Sequence, residues 1–414
     1  MSRVLYSLML YLLLPWALLH LVWRARKQPA YLEHVGERFG IFPRKLPSRV
    51  IWIHAVSVGE TRAAEPLINA LQARHPAHRI LLSHGTPTGR QTGVELYGDR
   101  VERCYLPYDF GWASRRFLRR FRPQVGVFME TEIWPNLIRA SADAAVPVYL
   151  VNARMSEKSA SGYRRIGGLT RTALTTLSGI GAQTGRDAQR LADLGAKDVN
   201  LTGNIKFDRL APAELLALGA TLRDSFGTQR PVFLAASTRE GEETMILDAL
   251  AEAPVPQLLA VIVPRHPQRF DEVAALVKQR GLKVQRRSEN RPIETDTRVV
   301  IGDSMGEMFA YYAACDIAFV GGSLLPLGGQ NLLEACAVGR PVIVGPHTFN
   351  FEDATRGAIE AGAAIRVSDA EELGNAIDQL LGDSNRRRAM SEAGKRFTEE
   401  HRGATEKTLN LIRW

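Results

Sequence analysis

An alternation of apolar, β-type runs with helix-length amphipathic segments begins at Val50 and constrains the fold more than any other feature of this sequence. The first series of runs is VIWIHAVSV, RILLSHGT, QVGVFME and VPVYLV, and the second is PVFLAAS, QLLAVIVP, TRVVIGDS, DIAFVGGS and PVIVGPH. Such alternation is typical of α/β folds, in which helical crossovers connect the strands of a parallel sheet. The sequence therefore predicts an α/β protein built on parallel sheets.

The alternation breaks near residues 207–230, and a chain of 414 residues is too long for one hydrophobic core. The breaking residues are Pro212, Gly219, Gly227 and Pro231. We therefore predict one doubly wound domain at 28–210, a second at 211–385, and charged helices at 386–414. Open parallel sheets bind ligands beyond the carboxyl ends of their strands, so we expect a ligand cleft between two facing domains.

The segment Val4–Trp23 carries no charged side chain and, as a helix, would be about 30 Å long, which matches the hydrocarbon core of a bilayer. Only Arg3 precedes it, whereas three basic residues follow it: Arg24, Arg26 and Lys27. By the positive-inside rule, residues 1–27 are predicted to anchor the chain to a membrane with the bulk of the chain in the cytoplasm. Pro15 and several polar side chains leave a shallow, monotopic insertion as the alternative.

The net charge of +9 is spread along the chain rather than gathered in one stripe. No aromatic-interleaved basic segment or zinc-finger spacing is present, which argues against a nucleic-acid partner. An anionic membrane or substrate accounts for the charge equally well. The three isolated cysteines, Cys104, Cys315 and Cys336, lie in apolar surroundings and are predicted to be core residues of a reducing compartment.

The segment Phe319–Phe351 places two glycine pairs between an apolar run and a helix predicted to open at Asn331. Glycines allow a backbone to approach a ligand closely, and a helix N-terminus attracts anions. Glu334, one turn into this helix, suits ribose hydroxyls, so a nucleotide fits better than a bare phosphate. The alternative is that the glycines only permit tight turns.

Acidic residues follow two of the predicted strands of the first domain. Glu60 comes after VIWIHAVSV, where partial burial could make it a general base, although it could equally stabilise a helix start. Glu130 and Glu132 close the QVGVFME run just before a predicted helix, where they could decorate the helix start or equally orient a basic substrate-binding residue.

Basic residues occupy corresponding positions of the same domain. Arg154 and Lys158 form a candidate anion-binding pair or a solvated face. Lys206 closes the last predicted strand of this domain, where a cation could meet charge that develops on a leaving group.

Strand ends of the second domain carry a further set of polar residues, which we expect to form one rim together with the glycine-rich junction. Its members are Ser237, Thr238, Arg265, His266, Gly306 and Glu307. For Ser237 and Thr238 the alternative is an ordinary helix-capping role. The sequence contains no Walker loop, metal-ligand cluster, GxSxG turn or kinase signature.

Eight blocks, spread in order over nearly the whole chain, carry a resemblance to a known family. They are WIHAVSVGE, METEIWPN, NARMSEKS, GNIKFD, PRHPQRF, GDSMGEM, GGSLLPLGGQNLLEAC and GPHTFNFED. In these blocks the chain resembles the 3-deoxy-D-manno-octulosonic acid (Kdo) transferases of lipopolysaccharide assembly. The resemblance implies a GT-B glycosyltransferase fold, with an acceptor-binding N-terminal domain, a nucleotide-sugar-binding C-terminal domain, and C-terminal helices that cross back.

The resemblance also implies an inverting transfer, without a metal or other cofactor, from CMP-Kdo to a lipid A precursor, lipid IVA, at the inner membrane. In the family pattern, Glu60 takes the hydroxyl proton, and Glu130 and Lys206 stabilise the transition state. The residues that would hold CMP are Pro264, Arg265, Met305, Gly306, Glu307, Asn331, Leu332, Leu333 and Glu334.

One position departs from the family pattern: Gln330 stands where the family usually has His. Gln can still hydrogen-bond but cannot carry a proton. Two alternative functions stay open on the residues alone. One is another GT-B enzyme, either a UDP-sugar transferase or a sugar-nucleotide epimerase, and the other is a catalytically silent, membrane-bound binding module.

Overall fold

A computed structural model describes residues 1–43, 46, 49–253 and 255–414, and it divides the chain into two compact units. Unit 1 comprises Met1–Asp208 together with Arg402–Trp414, and unit 2 comprises Arg209–His401. The sequence analysis placed these boundaries after residues 210 and 385. The second boundary falls later because the long helix that follows residue 383 packs within unit 2.

Unit 1 is built on a seven-stranded parallel sheet with strand order β3-β2-β1-β4-β5-β6-β7. Its strands are β1 (Val50–His54), β2 (Arg79–His84), β3 (Val101–Tyr105), β4 (Pro123–Met129), β5 (Val148–Ala153), β6 (Gly179–Ala182) and β7 (Val199–Leu201). The chain steps outward from β1 in one direction and then returns to add β4 to β7 on its other side. This reversal beside β1 is the topological switch point of a doubly wound sheet.

The helices of unit 1 connect these strands and cover both faces of the sheet. They are α1 (Arg3–Lys27), α2 (Val58–Ala63), α3 (Glu65–Arg74), α4 (Pro87–Tyr97), α5 (Gly111–Phe121), α6 (Pro135–Asp143), α7 (Glu157–Arg165), α8 (Gly167–Thr176) and α9 (Gly185–Asp193). Short 3₁₀ turns lie at Pro29–Tyr31, Val35–Phe39, Gly98–Arg100 and Ile205–Asp208.

Alternate residues of β1 reach two separate hydrophobic clusters, one on each face of the sheet. Trp52 packs with Phe117 and Phe128 on one face, whereas Ile51 and Ile53 pack on the other. Every residue of β1 is buried. A strand buried on both faces needs a continuous apolar run, which is the pattern that the sequence shows.

Unit 2 is built on a second seven-stranded parallel sheet, in the order β10-β11-β9-β8-β12-β13-β14. Its strands are β8 (Val232–Thr238), β9 (Leu259–Pro264), β10 (Val284–Arg286), β11 (Val299–Ile301), β12 (Ile317–Val320), β13 (Val342–Val344) and β14 (Ala364–Arg366). The chain again reverses beside the first strand, between β8 and β12. Both units are therefore Rossmann-like, doubly wound domains, as predicted.

The helices of unit 2 include the long C-terminal segment. They are α10 (Ala213–Phe226), α11 (Glu242–Glu252), α12 (Phe270–Gln279), α13 (Met308–Ala314), α14 (Leu333–Val338), α15 (Glu352–Glu360), α16 (Ala370–Gly382) and α17 (Ser384–Glu400), with 3₁₀ turns at Pro267–Arg269 and Arg287–Glu289. Gly394 of α17 lies against the backbone of Cys336 in α14, which keeps α17 in unit 2. Of the C-terminal helices, α18 (Ala404–Leu411) returns to unit 1.

Two local expectations differ from the structure. Gly219 was taken as part of a break in the chain, but it lies inside α10, where an added Cβ would meet the Ala313 Cβ at 2.4 Å. It therefore permits close packing of α10 on α13. The helix expected to open at Asn331 begins at Leu333, because the Asn331 side chain accepts a hydrogen bond from the Leu333 N–H at 3.1 Å and precedes the first turn.

Helix α1 is long and apolar enough to cross a membrane, and one stripe of it lies against unit 1. The stripe recurs every three or four residues and comprises Tyr6, Leu10, Leu14, Ala17, Leu21 and Ala25. Its amino-terminal part is fixed by hydrogen bonds from the Tyr6 hydroxyl to Asp109 at 3.1 Å and from the Ser7 hydroxyl to Asn136 at 3.2 Å. The side chain of Lys27, one of the flanking basic residues, lies outside the described part of the chain. The three cysteines are buried and unbridged, as expected.

Candidate active site

Glu60 lies at the carboxyl edge of the unit 1 sheet, on the short helix that follows β1. Ser57 caps this helix, and its hydroxyl donates to Glu60 Oε1 at 3.0 Å. The backbone N–H of Val56 donates to Glu60 Oε2 at 2.8 Å. Glu60 therefore does contribute to the helix start, as the alternative interpretation held, but both of its oxygens are held in fixed positions.

The surroundings of Glu60 make its carboxyl group a weaker acid than usual. Burial raises its pKa to about 7, the Val56 hydrogen bond opposes this rise, and the nearby Glu130 and Glu132 add to it. A carboxyl group with a pKa near 7 is divided between its two protonation states at neutral pH, which suits proton abstraction. Glu60 can thus act as a general base as well as a capping residue.

Glu130 follows β4 and pairs with Lys206, with Lys206 Nζ 2.9 Å from Glu130 Oε1. The backbone of Glu130 has φ = 58°, in the left-handed region that non-glycine residues rarely adopt. Strain of this kind concentrates at functional sites, where the surrounding structure enforces it. The structure therefore brings together two residues that are separated by 76 positions in the sequence.

Glu132 has different partners from Glu130. The indole N–H of Trp134 donates to Glu132 Oε2 at 2.7 Å, and His54 Nε2 lies 3.6 Å from the same oxygen. These contacts fix Glu132 beside the start of α6. Of the two acids in this motif, Glu130 is the one that pairs with a lysine.

Two further residues of this edge were missed by the sequence analysis. His54 is fully buried at the end of β1, where its Nδ1 lies 2.9 Å from Ser83 Oγ. Asn152 has φ = 50° and accepts the Ile205 N–H at 3.0 Å, so it holds the turn that presents Lys206. Asn is among the few non-glycine residues that tolerate this left-handed backbone conformation. An Asn at the end of an apolar strand was therefore the sequence feature that could have indicated a special role for Asn152. Lys206 itself lies in the 3₁₀ turn Ile205–Asp208, beyond the end of β7 at Leu201, and not at a strand end as predicted.

The candidate anion-binding pair occupies the loop after β5 and the start of α7. Arg154 is half-buried, and its carbonyl accepts the Thr131 hydroxyl at 2.7 Å. Lys158 is exposed on α7, which agrees with the solvated-face alternative for that residue.

In unit 2, the first glycine pair does not offer its backbone to a ligand. The N–H groups of Gly322, Ser323 and Leu324 donate to the buried carboxylate of Glu242, at 2.5, 2.9 and 3.0 Å. A Cβ added to Gly321 would lie 2.7 Å from the Thr238 backbone. The protein's own carboxylate therefore occupies these amides, and Gly321 is needed for close packing.

The second glycine pair joins this loop to the loop after β13. Gly328 has φ = 94° and Gly329 has φ = 74°, and the Gly329 N–H donates to the Gly322 carbonyl at 2.6 Å. A Cβ at Gly328 would lie 2.3 Å from the Asn350 side chain. This pair thus fixes the backbone position of the residues that follow it, Gln330 and Asn331.

Glu334 lies near the start of α14 and is mostly buried. Its Oε1 accepts from the Arg209 guanidinium and from Asn331 Nδ2, the latter at 3.2 Å. The side chains of Leu332, Leu333 and Pro264 are buried in the core. Among these predicted donor residues, the two leucines and the proline could contact a ligand only through their backbone atoms.

A cluster of cations lies near the ends of β8 and β9. Burial lowers the pKa of His266, and the charges of Arg239, Arg265 and Arg269 lower it further. Ser237, at the end of β8, has φ = 56°, a second strained residue at a carboxyl edge. The capping role considered for Ser237 and Thr238 is not realised, because Gly241 precedes α11 and the Thr238 hydroxyl donates to Glu243. This cluster suits an anionic ligand.

The remaining predicted residues follow β11. Met305 is exposed, and Gly306 has φ = 84°. The Glu307 carboxylate accepts the Ser304 hydroxyl at 2.6 Å and lies 3.3 Å from the Arg287 guanidinium. Within the described ranges, no group of three or more His, Cys, Asp and Glu side chains could hold a metal ion.

A cavity of about 760 Å³ in unit 1 lies at the opposite, amino edge of the sheet, between the starts of β4 and β5. Its basic lining residues are His75, His78, Arg115, Arg119, Arg122 and Arg413. None of the predicted site residues lines it. Glu60, Glu130 and Lys206 lie at the carboxyl edge of the sheet, away from this cavity.

Comparison with known proteins agrees with this geometry. A family model described as 3-deoxy-D-manno-octulosonic-acid transferase matches residues 33–209, and one described as glycosyl transferases group 1 matches residues 246–397. The solved structure of the UDP-GlcNAc 2-epimerase from Neisseria meningitidis, 15% identical, covers 88% of this chain and 99% of its own with a TM-score of 0.60. At that identity the likeness concerns the fold alone.

Two relatives are similar over their whole length. The 3-deoxy-D-manno-octulosonic acid transferase of Bordetella pertussis is 45% identical over 100% of this chain and 99% of its own. The enzyme of the same name from Haemophilus influenzae is 39% identical over 100% and 98%. With the GT-B class of paired Rossmann-like domains and matches along the entire sequence, the chain belongs to the 3-deoxy-D-manno-octulosonic acid transferase family of glycosyltransferases.

Proposed function

We propose that this protein transfers Kdo from CMP-Kdo to a lipid A precursor of the lipid IVA type, with inversion and without a metal ion or other cofactor. The observation that carries the proposal is the environment of Glu60, a positioned carboxyl group whose pKa is raised to about 7 beside a second acid that pairs with a lysine. Full-length similarity to Kdo transferases supports the choice of donor and acceptor.

In the proposed reaction, Glu60 accepts the proton of an acceptor hydroxyl while the oxygen of that hydroxyl bonds to the anomeric carbon of Kdo. The bond from that carbon to the phosphate oxygen of CMP breaks, and CMP departs with the electron pair. The anomeric carbon also carries the Kdo carboxylate, so an oxocarbenium-like centre forms beside an anion. Lys206, held by Glu130 at 2.9 Å, supplies a fixed positive charge for the negative charge of this transition state.

Unit 2 contributes the donor site in this proposal. Arg265 and its neighbouring cations neutralise the phosphate of CMP, and Glu334 accepts hydrogen bonds from the ribose hydroxyls. The predicted contacts around them are Ser237, Pro264, His266, Met305, Gly306, Glu307, Asn331, Leu332 and Leu333. A fixed cluster of cations can stabilise a departing phosphate in the role that a metal ion fills elsewhere.

The decisive experiment incubates the purified, detergent-dispersed protein with CMP-Kdo and a tetraacylated lipid A precursor, and follows the mass of the acceptor. A mass increase equal to one or more Kdo residues, with release of CMP, is expected. Calorimetry with CMP and UDP separates the alternatives: tighter binding of UDP would favour a UDP-sugar enzyme, and CMP binding without turnover would favour a silent binding module.

We further propose that helix α1 holds the protein on the cytoplasmic face of the inner membrane by lying in the plane of one leaflet. One stripe of α1 is half-buried or buried, and hydrogen bonds from Tyr6 and Ser7 fix its amino-terminal part to unit 1. The opposite face exposes large apolar side chains: Val4, Leu5, Leu8, Leu12, Trp16, Leu19 and Trp23. A spanning helix would draw the attached polar domain into hydrocarbon, whereas an in-plane helix buries only its free face.

Charged substitutions on the free face test this arrangement. Leu12→Glu with Leu19→Glu, at side chains that are 80% and 71% exposed, should release folded protein into the soluble fraction. Leu210→Glu, at an exposed leucine of unit 2, is the matched control and should leave membrane association unchanged. Protection of a cysteine placed at residue 2 from a membrane-impermeant reagent in right-side-out vesicles would support the in-plane orientation, and its labelling would favour a span.

A further inference from the structure

The carboxylate of Glu242 is fully buried and receives hydrogen bonds from four backbone amides. Its Oε2 accepts the N–H groups of Arg239 and Gly322, at 2.9 and 2.5 Å, and its Oε1 accepts those of Ser323 and Leu324, at 2.9 and 3.0 Å. Consecutive amides that converge on one point form a nest, the backbone feature that elsewhere binds phosphates and other external anions. In this protein the anion is built into the chain.

The loop that follows β12 is therefore closed on its inner side. Even the hydroxyl of Ser323 is used internally, because it donates to the Val320 carbonyl at 2.5 Å and accepts the Gly345 N–H at 2.8 Å. A ligand anion cannot reach the amides of residues 322–324 without displacing Glu242. Charged ligand groups must instead be recognised by side chains around the loop.

Two such side chains are placed by the backbone that Glu242 holds. The Gly322 carbonyl accepts the Gly329 N–H at 2.6 Å, which sets the position of Gln330. The side chains of Gln330 and Arg239 lie beside Gly322: a Cβ added to Gly322 would be 3.3 Å from Gln330 Nε2 and 3.6 Å from Arg239 Cγ. The Glu242 carboxylate also accepts the backbone N–H of Arg239. It therefore helps to fix the backbone positions of both Arg239 and Gln330.

We propose that Glu242 is a positioning residue for donor binding: it replaces a ligand anion in the loop and thereby orients Arg239 and Gln330 toward the donor without contacting it. Arg239 becomes a further donor-binding residue, close to Arg265 and His266. The inference rests on the donor site of the proposed function. It predicts that the loop keeps its shape before the donor arrives, so the backbone there needs no reorganisation on binding.

The neighbouring residue provides a matched control. Glu243 is as buried as Glu242, but its carboxylate accepts from the Thr238 hydroxyl and from the Arg269 guanidinium, at 2.8 and 2.6 Å, and contacts none of the loop amides. Glu242→Gln and Glu243→Gln are thus the same chemical change at two equally buried positions. Both substitutions are expected to lower stability. Only Glu242→Gln places a side-chain NH₂ group, which is a donor, against the backbone N–H donors of the loop.

The test compares the KM values for CMP-Kdo and for the lipid acceptor, together with the Kd for CMP by calorimetry. Glu242→Gln is expected to raise the donor KM and the CMP Kd by about tenfold to a hundredfold, because a buried backbone donor loses its acceptor. The acceptor KM should stay near the wild-type value. Glu243→Gln should lower the melting temperature and change both donor constants less than Glu242→Gln does, because Glu243 contacts Arg269 and none of the loop amides.

A double-mutant cycle with Arg239→Ala shows whether Glu242 acts through this arginine. If it does, the two changes raise the CMP Kd by less together than the product of their separate effects. Should Glu242→Gln fail to fold, Gly322→Ala strains the same loop at φ = 70° while keeping the carboxylate, and the same rise in the donor constants is expected.

Unchanged donor constants in folded Glu242→Gln, or in Gly322→Ala, would overturn the proposal and reduce Glu242 to a structural residue. Such a result is separable from failure of the proposed function. In that second case the wild-type protein itself would not bind CMP or transfer Kdo.

Discussion

Burial raises the pKa of an acidic side chain at the carboxyl edge of each sheet, Glu60 in unit 1 and Glu242 in unit 2, but the two carboxyl groups are hydrogen-bonded differently. In unit 1, Glu60 keeps a raised pKa of about 7, because burial and the neighbouring acids outweigh its hydrogen bond from Val56. In unit 2, four backbone amides surround Glu242, and Arg269 pairs with Glu243. The same topology thus provides one edge with an acid available for proton transfer and another at which Glu242 and Glu243 are used internally.

The largest expected effect separates the two edges directly. Glu60→Gln keeps the shape of the side chain and removes the proton acceptor, so kcat should fall by about a hundredfold to ten-thousandfold. Neither substrate is predicted to bind through that charge, so both KM values should change little. In the wild type, kcat/KM should rise with pH through about 7, as Glu60 loses its proton, and this rise should be absent in the variant. A variant with the wild-type rate would leave Glu60 as a capping residue and redirect attention to Glu130 and Glu132.

Removal of the cation at the unit 1 edge should have the next largest effect. Lys206→Met leaves Glu130 without its partner and removes a charge from the transition state, so kcat should fall by about a hundredfold. Lys158→Met, at an exposed lysine of the same unit, serves as the control and should retain activity. Steady-state kinetics at saturating donor and acceptor measure the difference. Equal activities of the two variants would show that the ion pair is only structural.

At the unit 2 edge the expected loss is in binding rather than in rate. Arg265→Ala and Glu334→Ala each remove a charged hydrogen bond, worth about 1.5 to 3 kcal/mol, so the CMP Kd should rise by about tenfold to a hundredfold. Arg356→Ala, at a half-buried arginine that pairs with Asp353, should bind CMP as the wild type does. Calorimetry that gives wild-type affinity for both site variants would place the nucleotide elsewhere.

The smallest expected effect concerns stability. Because folding raises the pKa of Glu60 from 4.5 to about 7, its ionisation opposes folding, and the cost grows as pH rises between these two values. Below pH 4.5 the wild type and Glu60→Gln should be equally stable. At pH 8 the variant should be more stable by about 1 to 3 kcal/mol, since one pKa unit corresponds to about 1.4 kcal/mol. Urea denaturation at both pH values provides the measurement, and a variant that is less stable at pH 8 would contradict the assignment.

The buried central strands were predictable because each is a continuous apolar run. Five strands were not among the predicted runs: β3, β6, β7, β10 and β14. β3 carries Glu102 and Arg103 in its centre, β6 has only four residues with two glycines, and the others have three residues each. Such short or charged segments become strands because a neighbouring strand is already present to pair with them, and a local pattern does not contain that information.

The sequence by itself determined the order of the long apolar strands, the apolar segment at the amino terminus, and the residue types at the ends of those strands, because these depend on local periodicity and composition. It also carried the blocks that resemble the family. Only the tertiary structure decided which polar groups meet. The pairing of Glu130 with Lys206 and the occupation of the glycine loop by Glu242 join residues 76 or more positions apart. A glycine loop that binds a ligand anion and a glycine loop that binds a carboxylate of its own chain have the same sequence pattern. The pattern specifies the conformational freedom of the backbone and not which anion its N–H groups bind.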